Sequence, residues 1–106
     1  MSGFYMLAGT LSSDQSLQQI AAQLKDLGLD SQMDEDELEL DSPASLALRS
    51  GFDHEYILVG DATESEVILG ECERLSTLFT QMKLSHEMEI YDTRNELVQQ
   101  YAFHAD

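Results

Sequence analysis

The sequence predicts an α+β domain: two helices packed on one face of a mostly antiparallel sheet of four to six strands. Three observations carry this. Apolar residues recur at helical spacing in two segments, Leu17–Leu27 and Ile68–Met82. The remaining apolar residues fall in short alternating or β-branched runs between turn residues. Each helical segment follows a strand-like one, with strand-like meanders between, which suits helices lying on a sheet. At 106 residues there is room for one core, so residues 1–106 are read as a single domain.

Gly3–Leu11 is nearly continuously aromatic and apolar and reads as the first strand. Ser13 is placed as the N-cap of helix 1, with Asp14 favourable to the dipole in its first turn. Leu17, Ile20, Ala21, Leu24 and Leu27 form its buried stripe, and Gly28 stands where a left-handed residue ends a helix, giving bounds of 13–27. Asp34 to Glu37 form a loop, and Glu37-Leu38-Glu39-Leu40-Asp41 alternates as a strand with Leu38 and Leu40 on one side and three carboxylates on the other. Residues 43–50 fit either a short helix, capped by Ser42 with Pro43 at its first position, or the second arm of a hairpin. We place a hairpin arm there, because Leu46 and Leu48 match Leu38 and Leu40 across the turn. After the turn Gly51–His54, Glu55–Gly60 is the clearest strand.

Thr63 and Glu66 have capping-box spacing and open helix 2, over 63–83. Gly70 within it is expected to allow close approach to the sheet, and Cys72 is read as a small core residue. His86–Asp92 alternates as a strand. Beyond it, Thr93 and Glu96 could cap a terminal helix; we prefer a turn at Asp92–Asn95, with Asn95 in the left-handed region, and a last strand from Glu96 to Phe103. The expected core is Leu17, Ile20, Leu24, Ile57, Val59, Cys72, Leu75, Phe79 and Ile90. A ferredoxin-like core built from split βαβ units, with an added C-terminal hairpin, is one arrangement that fits.

Charge is the sequence's most unusual property. Twenty-one acids face five Lys and Arg, a net −16. Seven carboxylates fall between Asp30 and Asp41, and residues 30–66 hold 12 acids against Arg49 alone. Residues 1–29, by contrast, carry only Asp14 and Asp26 against Lys25. Such a chain repels polyanions, so unaided binding to nucleic acid or an anionic membrane is not expected. The longest apolar runs are far too short to span a bilayer, and no signal peptide is apparent at the N-terminus. A lone Cys72 allows no internal disulfide, which fits a reducing, cytoplasmic setting.

Motifs for chemistry are weak. An EF-hand loop starting at Asp34 fails, because Leu38 and Glu39 fill the fifth and sixth positions. A loose cation site among Asp34, Glu35 and Asp36 is the lesser reading, and a solvated acidic loop the greater. His54-Glu55 and His86-Glu87 begin like a zinc-protease signature, but Leu58 and Ile90 stand where its second histidine belongs. Ser12, Ser13, Ser42 and Ser50 sit at turns and caps, and no nucleophile elbow is present. Neither catalysis nor a cofactor or metal is expected. The expected function is binding: a small acidic inhibitor, of the immunity, antitoxin or DNA-mimic kind, that engages a basic protein through Asp34, Glu35, Asp36, Glu37, Glu39 and Asp41. The alternative is a small ligand-binding or enzymatic domain whose acids serve solubility.

Overall fold

The computed structural model describes residues 4–105. The elements follow in the order β1 (Tyr5–Ser12), α1 (Leu17–Asp26), β2 (Ser31–Asp34), β3 (Glu37–Leu40), β4 (Ser45–Ser50), β5 (Glu55–Ala62), α2 (Ser65–Gln81), β6 (His86–Tyr91) and β7 (Leu97–Phe103). The strands form one antiparallel sheet in the order β2-β3-β4-β5-β1-β6-β7. The class is α+β, as the sequence predicts, but the sheet has seven strands rather than four to six. The strand beyond expectation is β2, which pairs with β3 through a two-residue turn at Glu35-Asp36. Gly3, expected to open the first strand, lies outside the described residues.

The topology follows from where the helices travel. β1 is central, and β5 and β6 flank it, both antiparallel to it. α2 therefore carries the chain from β5 over β1 to β6. α1 carries it from β1 to the far edge, and the meander β2–β3–β4–β5 returns strand by strand to the centre. Residues 43–50 supply a hairpin arm and residues 96–103 a strand, which decides both sequence alternatives. The last turn is set by Asp92, whose Oδ1 accepts from the backbone N–H groups of Arg94 and Glu96, with Asn95 at φ 65°.

Helix boundaries differ from expectation at their starts. Ser13 does not cap α1; its hydroxyl accepts from Gln15 N–H two residues on. The cap is Ser16, in a reciprocal capping box with Gln19. α2 begins at Ser65 with Glu64 as N-cap and no side-chain capping bond, so the Thr63–Glu66 box does not form. The ends are alike. Gly28 at φ 96° donates to Lys25 O while Leu29 N–H donates to Leu24 O, the two bonds of a Schellman motif. Lys83 at φ 60° and Leu84 repeat both bonds onto Thr80 and Phe79. Gly70 is exposed and has no atom near the position of a Cβ, so close approach to the sheet is not its reason. Close approaches are instead at Gly9 in β1, where a Cβ would run into the Glu87 carbonyl of β6, and at Gly60 in β5, where it would meet the Ser45 carbonyl of β4.

One core lies between the sheet and both helices. Strand register explains its shape. Leu38, Leu48, Leu58, Gly9 and Met88 line up across β3, β4, β5, β1 and β6; Leu40, Leu46, Gly60, Leu7 and Ile90 form the next row. Leu17, Ile20 and Leu24 of α1 and Ile68, Cys72, Leu75 and Phe79 of α2 close over these rows. Ile57 and Val59 are not in this core. Their strand presents Leu58 to the helices and leaves Ile57 41% exposed on the other side. Among the described residues no helix is long and apolar enough to cross a membrane.

Candidate functional site

The face of the sheet away from the helices is uncovered, and its composition is set by the same register. Reading across β2, β3, β4, β5, β1 and β6, one row runs Gln32, Glu39, Ala47, Val59, Ala8, Glu89. The adjacent row runs Asp34, Glu37, Arg49, Ile57, Thr10, Glu87. Directly opposed residues in an antiparallel pair share a face, so these rows are surface neighbours. The centre is largely apolar: Ala47, Val59, Ala8 and Ile57, with Met6 beside them at 56% exposure and Arg49 and Thr10 on either side of Ile57. Carboxylates flank it on both sides. Over β3, β4 and β5 the surface forms a trough of about 610 Å³, lined by Glu37, Glu39, Ala47, Arg49 and Val59, with Met6 of β1 at its side.

The six acids expected to form a binding surface occupy connected but distinct places. Glu37 and Glu39 project from β3 into the trough, two residues apart on one face. Asp34 ends β2 opposite Glu37 and shares that face. Glu35 and Asp36 form the hairpin tip, with Glu35 at φ 52°, and join Asp34 and Glu37 around a second depression of about 510 Å³. Asp41 lies past the end of β3, where its N–H donates to Asp30 O, and shares a third depression with Asp30 and Glu39. The acid cluster is not wholly unneutralised. Arg49 Nε donates to Glu37 Oε1 at 3.0 Å, on a half-exposed pair whose net contribution is about 0–1 kcal/mol. On the opposite flank, Tyr91 donates its hydroxyl to Glu89 Oε1. Among the described residues neither Glu39 nor Glu87 is in an ion pair.

Sequence reasoning missed the apolar centre of this face. Glu55–Gly60 is apolar on both alternating phases, and Ile57 and Val59 are the β-branched ones, so their assignment to the core followed propensity and not register. The missing signal lay in the partner strands. Arg49 and Thr10 align with Ile57 on one face, whereas Leu48 and Leu11 do not.

A second constellation also went unforeseen. Ser76 Oγ is 2.7 Å from His86 Nε2, and His86 Nδ1 is 2.9 Å from Leu84 O. A carbonyl only accepts, so Nδ1 carries the proton and Nε2 accepts from the serine hydroxyl. The pairing resembles a nucleophile and its base, but the imidazole is buried between the Phe79 and Phe103 rings. None of the surface depressions described above reaches Ser76 or His86. It is a satisfied core histidine. Burial holds its pKa below the ordinary imidazole range, against the opposing pull of the Leu84 hydrogen bond, with His104 adding a further push down.

Cys72 is equally inert. Burial first, and the neighbouring Glu71 second, push its thiol up to about 12. Among the described residues no group of three or more His, Cys, Asp or Glu side chains is arranged to hold a metal ion.

The open face is thus a largely apolar strip between two acidic flanks. No protein-family model matches the chain, and neither a curated protein nor a solved structure gives a significant match.

Proposed function

We propose that this chain is a small acidic binding protein that engages a basic protein partner and occludes its working surface, as immunity proteins, antitoxins and DNA mimics do. The observation that supports it most is the placement of Glu37 and Glu39, with Asp34 beside them, on the uncovered side of the sheet. β3 holds Glu37 and Glu39 about 7 Å apart along the strand, comparable to phosphate spacing on nucleic acid, with Asp34 opposite Glu37 on the next strand. A fixed anionic surface steers basic proteins and speeds encounter more than it tightens the final complex. We read the order β4-β5-β1-β6, with α1 and α2 as crossovers, as the ferredoxin-like core, extended by the β2–β3 hairpin on one side and β7 on the other.

The test is a Lys triple variant of Glu37, Glu39 and Asp41. Partner proteins are captured from host lysate on the wild-type chain and identified by mass spectrometry. The triple variant should fold, since these side chains are solvated, yet associate far more slowly. Wild-type binding should weaken steeply between low and moderate salt. Unchanged rate and affinity in the variant would reduce the acids to a solubilising face.

One observation favours a second reading. The trough has the volume of a small-molecule site, and Arg49 stands in it as a cation. A bound small molecule in native mass spectra of the purified protein, lost in an Arg49→Ala variant, would support that reading instead.

A further inference from the structure

We infer that the partner element seated on this protein is a single amphipathic helix with an apolar ridge and basic residues on both flanks, lying along the strands of the open face. The inference rests on the preceding reading that the partner is basic, and goes beyond it by using the whole face instead of the acidic hairpin.

The width of the face limits what it can hold. Glu37 and Glu39 on β3 and Glu87 and Glu89 on β6 form two carboxylate columns on the same face. Four strand steps separate β3 from β6 in the sheet order, so the columns stand about 19 Å apart at ordinary strand spacing. Between them lie Ala47, Val59, Ile57, Ala8 and Met6, an apolar floor with Arg49 and Thr10 in the Ile57 row and Ser45 and Asp61 in the Met6 row. A helix with its side chains is about 10–12 Å across. One helix therefore fits between the columns, and its lateral Lys or Arg side chains have the remaining few ångströms in which to reach carboxylates on each side. Two helices would not fit.

Polarity selects the same occupant. The apolar part of the floor is exposed at Met6 (56%) and Ile57 (41%), while Val59 is half-buried and Ala47 buried. A uniformly basic segment would leave that floor wet, and a purely apolar one would strand the carboxylates. A second copy of this chain is disfavoured, since each carries −16 and face-to-face packing would set four of these carboxylates against four. The floor is also shaped to receive a ridge: small Ala47 and Ala8 flank Val59, and the trough over β3 to β5 is concave. Among the described residues Glu37 is the one column carboxylate in an ion pair, with Arg49; Glu89 accepts from the Tyr91 hydroxyl, and Glu39 and Glu87 are in no ion pair.

The experiment uses the full chain and two synthetic helical peptides of equal Lys content. One carries a Leu ridge flanked by Lys; the other has the same composition scrambled so that no ridge forms. Titration calorimetry at moderate salt should show the ridged peptide binding at least about tenfold tighter, the scale expected from burying a few exposed apolar side chains. NMR shifts should map to β3, β4, β5, β1 and β6. Ile57→Ser with Val59→Ser, which leaves charge unchanged, should erase the difference between the peptides. Glu87→Gln with Glu89→Gln should weaken the ridged peptide as much as Glu37→Gln with Glu39→Gln. Circular dichroism melts verify that each variant is folded. If both peptides bind equally, or the β6 pair has no effect, the helix inference fails while binding through acidic β3 survives. If neither peptide binds even at low salt, both fail. Sedimentation showing a dimer that Ile57→Ser disrupts would assign the face to a second copy and overturn the inference.

Discussion

The two faces of the sheet are made from the same strands, residue by residue in alternation, yet they answer to different requirements. The covered face is mostly aliphatic: Leu7, Leu11, Leu38, Leu48, Leu58, Met88 and Ile90 are all nearly inaccessible, with the buried His86 beside them. The open face mixes Ile57, Val59 and Met6 with Glu37, Glu39, Glu87 and Glu89. A purely solvated face would not need the first group, and a second core would not tolerate the second. The difference shows that apolar content alone does not identify the side of a strand that carries the fold. In β5 the β-branched residues are on the side that does not.

The sharpest way to break this comparison is to truncate one side chain on each face. Phe79→Ala, beneath the sheet, should cost about 3–5 kcal/mol, because the ring is fully buried and leaves a cavity. Ile57→Ala, on the open face, should cost about 1 kcal/mol or less, mostly strand propensity. Urea melts measure both, and equal losses would mean that the open face is a second core.

A medium effect concerns pH. His86 has its folded-state pKa lowered, so between that value and about 6.5 the unfolded chain binds a proton that the folded chain does not. Stability from this group is fully present above about pH 6.5 and is lost as pH falls toward the lowered folded pKa. NMR titration should find the His86 ring still neutral where an ordinary imidazole is half protonated. A His86 that titrates normally would show that the covered side admits water near α2.

The smallest expected effect sharpens the account of the covering layer. Lys83 holds the left-handed position that ends α2, as Gly28 does for α1. Lys83→Gly should relieve a Cβ penalty and stabilise the fold by roughly 0.5–1 kcal/mol after the added freedom of the unfolded chain is counted. Thermal melts can resolve this, and no change in open-face binding should accompany it.

Much of this contrast was legible in the sequence, and the failures have physical reasons. Glu-Leu-Glu-Leu in β3 has one phase apolar and one acidic, so its two faces could be assigned before any partner strand was known. Ile-Leu-Val in β5 has no such contrast, and only pairing with β4 and β1 fixes its sides. β2, Ser31–Asp34, contains Met33 as its one apolar residue; it is a strand because β3 and the tight Glu35-Asp36 turn bring it into register. At the start of α1, Ser13 and Ser16 are both plausible caps, and the box depends on Gln19 reaching back to Ser16 rather than on either serine alone. The candidate site was half legible. Its acidic β3 column could be read, but its apolar floor and its second column on β6 appear only when strands distant in sequence are set side by side.

Consider last the position of β1. It lies inside the sheet, paired on both edges, although it comes before every other described element, and its ladders join Tyr5 to Ala62 and Leu11 to His86. Neither edge of β1 can be satisfied until β5 and β6 have left the ribosome, so a strand rich in apolar side chains must wait for neighbours made long after it. Folding must then close long loops before those pairings reward it. During that interval the self-repulsion of the excess carboxylates keeps nascent chains apart. The charge that shapes the mature surface thus also acts as an intrinsic safeguard against aggregation while the centre of the sheet is still open.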